Sequence, residues 1–381
     1  MKLLLLALSL FYTGFYTGLS YAADLLPLPP APDIAARAFL LMDFQSGQVL
    51  QGLKPDERVE PASLTKLMTA YLSFTALKQG RLKPTQTLPV SERAWRSEGS
   101  RMFIQLNSQV AVEDLLKGMI VQSGNDACVT LAEGVAGTEE AFVALMNREA
   151  QRLGLRNTRF MNATGLPHPQ HYSTARDLAL LAAALIRDFP EYYPLYAIKE
   201  FRYNNITQPN RNRLLWQDPF VDGIKTGHTE SAGFCLITSA RRGEMRLISV
   251  VLGAASDNAR TAESQKLLNY GFQFFETYRL YQQGQTVATL PVYKGAENSV
   301  KTGFLHPVYL ALPKGHFAQA KITLTSRQPL LAPLLPGQVV GTLAVNVGGK
   351  PVTTLPLQIL ENVAVAGLFG RTWDTIKLWF K

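Results

Sequence analysis

Cysteine is scarce in this chain, and its placement points to neither a metal site nor a disulfide framework. Cys128 and Cys235 are the only two cysteines among 381 residues. They form no CxxC pair and have no histidine at a metal-ligand spacing. Because each lies in an apolar segment, we expect two buried free thiols, and we expect no metal or other cofactor.

Basic residues are not collected into runs, which argues against a nucleic-acid-binding protein. The sequence has 38 Lys and Arg against 29 Asp and Glu, a formal net charge of +9. Nucleic acid is bound by clustered Lys and Arg, whereas these residues are scattered along the chain. For an exported protein, such a surface fits anionic lipid or anionic wall polymer better. We therefore expect no nucleic-acid partner.

The apolar run near the beginning is short for a transmembrane helix and is typical of an export signal. Lys2 is followed by Leu3–Leu10, and Ser20 and Ala22 are the small residues that a signal peptidase reads. A span needs about 20 apolar residues. We therefore expect a signal peptide at residues 1–22 and an exported protein; an uncleaved membrane anchor is the alternative.

Hydrophobic patterning divides the remaining chain into parts of different character. The length of 381 residues favours two domains or more, and 47% apolar residues suffice for a large core. Ala38–Asp43 and Gln48–Leu53 flank turn residues and predict a hairpin. Helices are predicted from Ser63 to near Gly80 and over Val112–Val121, Asp126–Val135, Glu139–Leu153, Ala175–Arg187 and Ala259–Thr277. Phe234–Ala240 and Met245–Gly253 predict a second hairpin, so that residues before and after the helical middle build one sheet.

Beyond about Gly284 the pattern changes to short β-prone runs separated by Gly and Pro. These runs are Thr286–Tyr293, Val308–Leu312, Lys321–Ser326 and Val339–Val347. They predict a small all-β domain. We therefore expect a mixed domain over residues 23–283, the all-β domain over 284–361 and a terminal helix over 362–381.

The last segment, Asn362–Lys381, is predicted to be an amphipathic helix. One face carries Val365, Leu368, Phe369, Trp373, Ile376, Trp379 and Phe380, and the other carries Arg371, Asp374, Lys377 and Lys381. Dense aromatic residues on one face with basic residues on the other are typical of a helix in a membrane interface. We expect attachment to anionic lipid; packing of the helix on the protein's own β domain is the alternative.

Ser63 and Lys66 form a possible nucleophile–base pair at the beginning of a buried helix. A spacing of three residues brings two helical side chains onto one face, with Cβ atoms about 5–6 Å apart. A serine hydroxyl needs a base to take its proton, and burial favours the neutral form of a lysine. This Ser-x-x-Lys is the only one in the chain. A capping serine near a solvated lysine is the alternative.

Ser123-Gly124-Asn125 lies between two predicted helices. The Ser123 hydroxyl could move a proton between the base and a leaving group, and the Asn125 amide could hold a substrate carbonyl. A turn followed by a helix cap would have the same sequence.

Lys225-Thr226-Gly227 lies at the beginning of the strand-rich part. A strand edge there could pair with an extended peptide, Gly227 would leave room for the ligand backbone, and Lys225 and Thr226 could bind a carboxylate. A solvated edge strand whose lysine opposes aggregation is the alternative.

Two further matches compete with these motifs. Ser256–Asn258 repeats the second pattern and Lys301–Gly303 repeats the third. Ser-x-x-Lys, Ser-Asp-Asn and Lys-Thr-Gly are together the set used by β-lactamases and penicillin-binding proteins. Because the first matches occur in that order within the mixed part, we assign the two others to a turn and to an edge of the β domain.

The sequence closely resembles the low-molecular-mass penicillin-binding proteins of the D-alanyl-D-alanine carboxypeptidase family. The segments that carry the resemblance are Pro61–Thr69, Ser100–Phe103, Gln122–Ala127, Tyr172–Asp177 and Val221–Thr229. The resemblance implies an α+β fold: a β-lactamase/transpeptidase-like domain with a sheet flanked by helices, then a small all-β domain and an amphipathic anchoring helix. It also implies removal of the terminal D-alanine from peptidoglycan pentapeptide stems, covalent inhibition by β-lactams, and a periplasmic enzyme attached to the outer face of the inner membrane.

The same resemblance implies the catalytic roles of the first two motifs. Ser63 attacks the carbonyl between two D-alanines and Lys66 is the base. Ser123 relays the proton to the departing D-alanine, and Asn125 orients the acyl part. Water then hydrolyses the acyl-enzyme.

Substrate binding is implied for residues of the third motif and for one arginine beyond it. Lys225, Thr226 and Arg260 hold the terminal carboxylate, which the fork of an arginine matches well. The backbone amides of Ser63 and His228 form the oxyanion hole. No Ser-His-Asp triad is indicated, and the other histidines are taken as structural or solvated: His168, His171, His306 and His316.

Three other interpretations stay open at this point. A β-lactamase shares the motifs but needs a fast deacylating water, often activated by an added glutamate, and no glutamate stands in a clear loop motif. A non-catalytic wall-binding or shape-maintaining protein would not need the intact motif residues. A DD-endopeptidase that cuts cross-links fits the motifs as well as a carboxypeptidase does.

Overall fold

The computed structural model describes residues 29–379, so the signal peptide predicted at residues 1–22 lies outside the described residues. The helices are α1 Lys66–Lys78, α2 Glu92–Trp95, α3 Val112–Val121, α4 Asn125–Ala136, α5 Glu139–Arg152, α6 Ala175–Asp188, α7 Leu214–Gln217, α8 Asp257–Phe274 and α9 Leu368–Trp379. The strands are β1 Ala38–Asp43, β2 Val49–Leu53, β3 Thr87–Pro89, β4 Gln109–Ala111, β5 Glu200–Tyr203, β6 Ile206–Pro209, β7 Val221–Thr229, β8 Gly233–Arg242, β9 Met245–Ala254, β10 Phe275–Tyr281, β11 Thr286–Tyr293, β12 Ser299–Gly303, β13 Val308–Pro313, β14 Ala320–Ser326, β15 Leu330–Leu331, β16 Val339–Val347 and β17 Lys350–Ile359.

A five-stranded antiparallel sheet in the order β2-β1-β9-β8-β7 forms the centre of the first part of the chain. Strand β1 comes before the helical middle and pairs with β9, which comes after it, so the prediction of one shared sheet is confirmed. Both predicted hairpins are present as well. Leu40 and Met42 pack on the side of α1, and Phe39 and Leu41 pack on the side of α8. Because side chains alternate along a strand, helices cover both faces of this sheet and the predicted α+β class is confirmed.

The helices of the middle agree with their predicted ranges to within one residue at each end, except at the beginning of the first. Ala62–Thr65 form a 3-10 turn, and the α-helix begins only at Lys66. Nearly every side chain of α1 is buried, as its lack of a polar face predicts. Ser63 therefore stands on a turn that leads into the most deeply buried helix.

The helix predicted over Ala259–Thr277 begins and ends earlier, at Asp257 and Phe274. Ser256 caps it and accepts a hydrogen bond from the backbone N–H of Ala259 at 3.1 Å, so this serine is a helix cap. The predicted end is wrong because β10 (Phe275–Tyr281) pairs with β13 as a strand, which suits its aromatic and β-branched residues.

The remaining strands form a β region. Six pair in the order β14-β16-β17-β12-β11-β15, and β10 pairs with β13. The four predicted runs are confirmed as β11, β13, β14 and β16. Strand β17 is not predicted from the sequence, because it contains Pro351 and Pro356. Proline is unusual inside a sheet. Strand β10 precedes residue 284 and β13 follows it, so strand pairing joins the chain across the predicted domain boundary.

The competing Lys301–Gly303 segment lies inside this sheet. It belongs to β12, which has β17 on one side and β11 on the other. Thr302 is fully buried, and its hydroxyl donates to the Ala288 carbonyl oxygen at 2.8 Å. The expected edge position of this segment is therefore wrong, and no extended peptide can pair with it.

Helix α9 contacts the β region through its polar side. Asp374 is 7% exposed, and its carboxylate accepts a hydrogen bond from the Lys294 backbone N–H at 2.6 Å. The large apolar side chains stay exposed: Leu368, Phe369, Trp373, Ile376 and Trp379. Within residues 29–379, no helix is both long and apolar enough to cross a membrane.

Candidate active site

Ser63 lies on a strained turn that the surrounding structure holds in place. Ala62 has a φ of +47°, a left-handed conformation that residues with a Cβ atom rarely adopt. Gly165 packs so closely that a Cβ atom there would lie 1.8 Å from the Ala62 carbonyl oxygen. Neighbouring Leu64 and Thr65 are buried, whereas Ser63 is half-buried and lines a cleft. Such strain persists where packing over-determines it, often at functional sites.

Lys66 points at Ser63 although its side chain is only 1% exposed. Its Nζ lies 2.9 Å from Ser63 Oγ and donates a hydrogen bond to the Thr164 carbonyl oxygen at 2.7 Å. Burial lowers the pKa of Lys66 to about 8, and the positive charge of Arg211 acts in the same direction. An appreciable fraction of this lysine is therefore neutral near pH 7, and a neutral amine can accept the serine proton.

Ser123 lies between α3 and α4, as predicted, with a φ of +67°. It lines the same cleft and is 2% exposed, and its Oγ has no hydrogen-bond partner among the described residues. Asn125 donates through Nδ2 to the Glu98 carbonyl oxygen at 2.5 Å, while its Oδ1 also has no partner in this part of the chain. Buried polar groups are costly without a partner, and the Ser123 hydroxyl, which lines the cleft, can gain one from a bound substrate.

Asp126 connects the Ser100–Phe103 segment to the Ser123–Asn125 motif in space. Its carboxylate accepts hydrogen bonds from the backbone N–H groups of Met102 at 3.0 Å and Phe103 at 2.9 Å. These bonds tie the segment to the beginning of α4. Ser100, at one end of the segment, consequently forms part of the cleft wall.

The third motif runs along β7, which is the edge strand expected from the sequence. Gly227 lets the strand approach the Ser63 turn, since a Cβ atom there would lie 3.1 Å from the Pro61 carbonyl oxygen and 3.3 Å from Ala62 Cβ. Thr226 lines the cleft, and Lys225 is buried with its Nζ donating to the Thr226 carbonyl oxygen at 3.0 Å. Burial, together with nearby cations, holds the pKa of Lys225 well below its ordinary value.

Arg260 supports β7 from α8 and also reaches the cleft. Its Nη1 donates to the Gly227 carbonyl oxygen at 3.0 Å, and its Nη2 pairs with the Asp257 carboxylate. His228 lines the cleft as well; its exposed ring lies against Phe234 with ring centroids 4.1 Å apart. Arg260 therefore both positions the strand and brings positive charge to the site.

Sequence reasoning missed two arginines that complete the basic end of the cleft. Arg211 and Arg213 line it from the loop between β6 and α7. Asn212, between them, is buried and donates through Nδ2 to the Gly223 carbonyl oxygen at 3.0 Å, which fixes the loop to β7. Arg213 pairs with Asp257 at 2.6 Å, and Arg211 has no ion-pair partner within residues 29–379. The only signal in the sequence is an Asn-Arg-Asn-Arg alternation that matches none of the three motifs.

The predicted residues thus meet at one cleft of about 820 Å³. Its wall includes Ser63, Ser123, Thr226, Gly227, His228 and Arg260. Lys66, Asn125 and Lys225 are buried and do not form part of that wall. The volume lies within the range of roughly 300–1,000 Å³ that is usual for small-ligand sites. The cleft combines a nucleophile–base pair, a free strand edge and cations that suit a carboxylate.

The remaining histidine near the nucleophile has a structural place. His171 is buried, its Nε2 lies 2.9 Å from Thr65 Oγ1, and burial lowers its pKa to about 4. Cys128 and Cys235 are free and buried, as expected. Across residues 29–379, no cluster of three or more His, Cys, Asp or Glu side chains is suited to holding a metal ion.

Two family models match the chain. Residues 27–256 match the model described as D-alanyl-D-alanine carboxypeptidase, and residues 275–365 match the C-terminal domain of penicillin-binding protein 5. A curated relative is D-alanyl-D-alanine carboxypeptidase DacC of Escherichia coli (strain K12). It is 47% identical over 358 residues, which cover 92% of this chain and 90% of the relative.

Solved structures agree with this match. Penicillin binding protein 5 from Haemophilus influenzae has a TM-score of 0.84 at 44% identity, covering 88% of this chain and 99% of that one. Penicillin-binding protein D2 from Listeria monocytogenes, in its ampicillin-bound form, has a TM-score of 0.59 at 32% identity, covering 64% of this chain and 100% of that one.

Proposed function

Because this chain belongs to the D-alanyl-D-alanine carboxypeptidase family and is an enzyme of that class, we propose that Ser63 is its nucleophile and Lys66 its base. The observation that carries this proposal is the 2.9 Å contact between Lys66 Nζ and Ser63 Oγ, made by a lysine whose pKa burial lowers to about 8. The substrate is the terminal D-alanyl-D-alanine of a peptidoglycan pentapeptide stem.

In the first step, neutral Lys66 takes the Ser63 proton as Oγ attacks the carbonyl carbon between the two D-alanines. The backbone N–H groups of Ser63 and His228 stabilise the negative charge that develops on the carbonyl oxygen. Ser123 relays this proton: its hydroxyl donates to the departing nitrogen and is reprotonated by Lys66, so that the C–N bond breaks and free D-alanine leaves. The peptide stays behind as an ester on Ser63, with Asn125 orienting its acyl part.

The terminal carboxylate binds at the basic end of the cleft. Thr226 and Arg260 line that end, and the buried amine of Lys225 lies next to them as a hydrogen-bond donor. Arg211, which lines the cleft without an ion pair in the described part of the chain, is a further ligand for this carboxylate. An arginine fork matches the two carboxylate oxygens, so this end selects a substrate with a free C-terminus.

Hydrolysis of the ester completes the cycle: water adds to the acyl carbon, the Ser63 proton is restored, and the shortened stem leaves. A β-lactam presents a strained amide to the same nucleophile and leaves an acyl group on Ser63 that clears slowly. The ampicillin-bound form of the Listeria relative supports this extension.

The decisive test is mass spectrometry after treatment with a labelled penicillin. The label should reside on the peptide that contains Ser63 and be absent from Ser63→Ala. Ser256→Ala is the matched control, because Ser256 belongs to the competing motif and caps α8; it should keep the label and the release of D-alanine from a pentapeptide. Labelling of Ser63→Ala at another residue would refute the assignment.

The location of the enzyme forms a second part of the proposal. Residues 1–22 direct export to the periplasm, and residues 362–381 attach the enzyme to the outer face of the inner membrane. The orientation of α9 supports the attachment: Asp374, on the polar side, contacts the β region, while Phe369 is 95% exposed on the apolar side. A helix packed on its own domain for stability would bury the apolar side instead.

Deletion of residues 367–381 should move activity from the membrane to the soluble periplasmic fraction. The cut spares Val363, which is 1% exposed and belongs to the β region. Phe369→Ser with Trp373→Ser should release the enzyme in the same way, whereas Leu335→Ser, a matched change at a residue 62% exposed elsewhere, should not. Sedimentation of the shortened protein with membranes would refute the attachment.

A further inference from the structure

A groove of about 650 Å³ runs between α9 and the β region, apart from the catalytic cleft. Its β-side wall consists of Lys294, Ala332 and Val365. Its helix wall consists of Leu368, Arg371, Thr372, Thr375, Ile376 and Trp379. The groove therefore combines apolar surface with two cations, one on each wall.

Backbone contacts hold the two walls together. The Lys294 N–H donates to the Asp374 carboxylate at 2.6 Å, and the Ala366 N–H donates to the Lys294 carbonyl oxygen at 2.8 Å. Gly295 also pairs with Val365 as an isolated β-bridge. The turn that carries Lys294 is thus hydrogen-bonded to α9 and to the segment before it, and these contacts form the groove.

Among the described residues, the two cations of the groove have no close side-chain partner, although the positive charge of Lys294 is near enough to Asp374 to help lower the pKa of that carboxyl. Neither Lys294 nor Arg371 forms an ion pair or a side-chain hydrogen bond with any residue in the described range 29–379. Lys377, on the same helix but outside the groove, is paired with Asp374 at 3.2 Å. Unpaired Lys and Arg side chains on facing walls suit a phosphate, which accepts several charge-assisted hydrogen bonds.

The apolar part of the groove continues into the exposed side of α9. Leu368 is 74% exposed and Trp379 is 84% exposed, and both line the groove. An exposed apolar surface of this kind marks a site of contact with a partner or a membrane. A ligand that satisfies both parts needs a phosphate and a hydrocarbon chain in one molecule.

We propose that this groove binds one anionic phospholipid molecule, with its phosphate between Lys294 and Arg371 and its acyl chains along Leu368 and Trp379. The inference rests on the membrane attachment proposed above and deepens it, because a turn of the β region joins α9 in recognising the lipid. Lipid selection then depends on a defined site as well as on insertion of the apolar side.

The test is a calorimetric titration of the full chain with dihexanoyl phosphatidylglycerol below its micelle concentration. Saturable one-to-one binding is expected, with weaker binding of dihexanoyl phosphatidylcholine. Lys294→Gln combined with Arg371→Gln should weaken binding at least about tenfold, as the loss of charge-assisted hydrogen bonds implies. Lys377→Gln removes one positive charge outside the groove, against two in the double variant, and should change the affinity less than about twofold, whereas each single change in the groove should weaken binding more than that.

Several results would contradict the proposal that this groove binds a phospholipid. One is an absence of saturable binding, and another is an equal loss in Lys377→Gln, which general attraction of cations to an anionic surface would produce. Equal binding of glycerol phosphate, which has no acyl chains, would assign the site to a free phosphate. A dimer in native mass spectrometry that the double variant abolishes would assign it to a second copy of the chain.

Vesicle sedimentation separates this inference from the attachment on which it rests. If the unaltered chain fails to sediment with phosphatidylglycerol vesicles, the attachment itself is refuted. If it sediments, and the double variant sediments equally while the titration shows no site, only the groove is refuted. Penicillin labelling of Ser63 in each variant checks that the fold is intact.

Discussion

The catalytic cleft and the terminal helix depart from an ordinary protein surface in opposite ways. At the cleft, ionisable and polar groups are buried: Lys66, Ser123 and Lys225 are 1%, 2% and 3% exposed. On α9, large apolar groups are exposed: Phe369 to 95% and Trp379 to 84%. Each arrangement is unfavourable for a chain alone in water. This difference supports the two proposals made above, that a peptide binds in the cleft and that lipid covers the apolar side of the helix.

The two regions also differ in what holds them. The Ser63 turn is packed between α1, β7 and the Gly165 loop, so its strain is opposed from several sides. Helix α9 contacts the β region through one buried residue of its own, Asp374. We therefore expect changes at the cleft to separate activity from stability, and changes on α9 to leave both intact.

The largest effect is expected for Lys66→Met. This substitution tests whether the buried amine is needed for acylation of Ser63 or for the stability of the fold. Acylation of Ser63 by penicillin should fall by about 10²–10⁴-fold, the usual contribution of a general base. The melting temperature should stay the same or rise, because methionine fills the space without a desolvated amine. Stopped-flow labelling and calorimetry measure the two quantities. A parallel loss of activity and stability would contradict the expectation that changes at the cleft separate the two.

His171 should make the free energy of unfolding decrease as the pH falls. Its pKa is about 4 when folded against 6.5 for an unperturbed histidine, so the unfolded chain takes up the proton first as the pH falls. Stability present above pH 6.5 is therefore lost between about pH 6.5 and 4, by about 3 kcal/mol. His171→Gln should remove this part of the loss in urea unfolding at each pH, and His306→Gln, a matched change at an exposed residue of the β region, should not.

The pH dependence of acylation sharpens the assignment of the base. Lys66 must be neutral to act, and its pKa is about 8. The acylation rate constant should therefore rise about tenfold per pH unit below pH 8 and level off above it. Rapid-quench measurements with a penicillin that does not itself titrate in this range test the expectation. A rate that is flat across pH 8 would exclude Lys66 as the free-enzyme base.

The smallest effect is expected at the second Lys-Thr-Gly copy. Lys301 forms a solvent-exposed pair with Glu361 at 3.5 Å, and such pairs contribute about 0–1 kcal/mol. Lys301→Gln should leave D-alanine release and the melting temperature nearly unchanged, whereas Lys225→Gln should abolish D-alanine release at low substrate concentration. Loss of activity in Lys301→Gln would show that the β region takes part in the reaction.

Features that depend on residues close in the chain could be predicted from the sequence. The spacing of Ser63 and Lys66 places both on one side of a turn and helix, and it survives the shift of the helix start to Lys66. The position of Arg211 in the cleft wall could not be predicted, because it depends on the Asn212 hydrogen bond to the Gly223 carbonyl oxygen. Strand β17 contains two prolines and could not be predicted, because it depends on pairing with β16 and β12.

By itself, the sequence determined the local chemistry: a Ser-x-x-Lys entering an apolar helix, and a terminal helix with separate apolar and polar sides. The order of the motifs also predicts that Lys225–Gly227 is the copy beside Ser63, but only the tertiary structure shows how it gets there and which side of α9 faces the protein. Both depend on contacts between distant segments. Gly227 admits β7 to the Ser63 turn, while β12 is enclosed by β11 and β17. Likewise, the Lys294 turn offers an N–H to Asp374, which leaves the apolar side of α9 exposed.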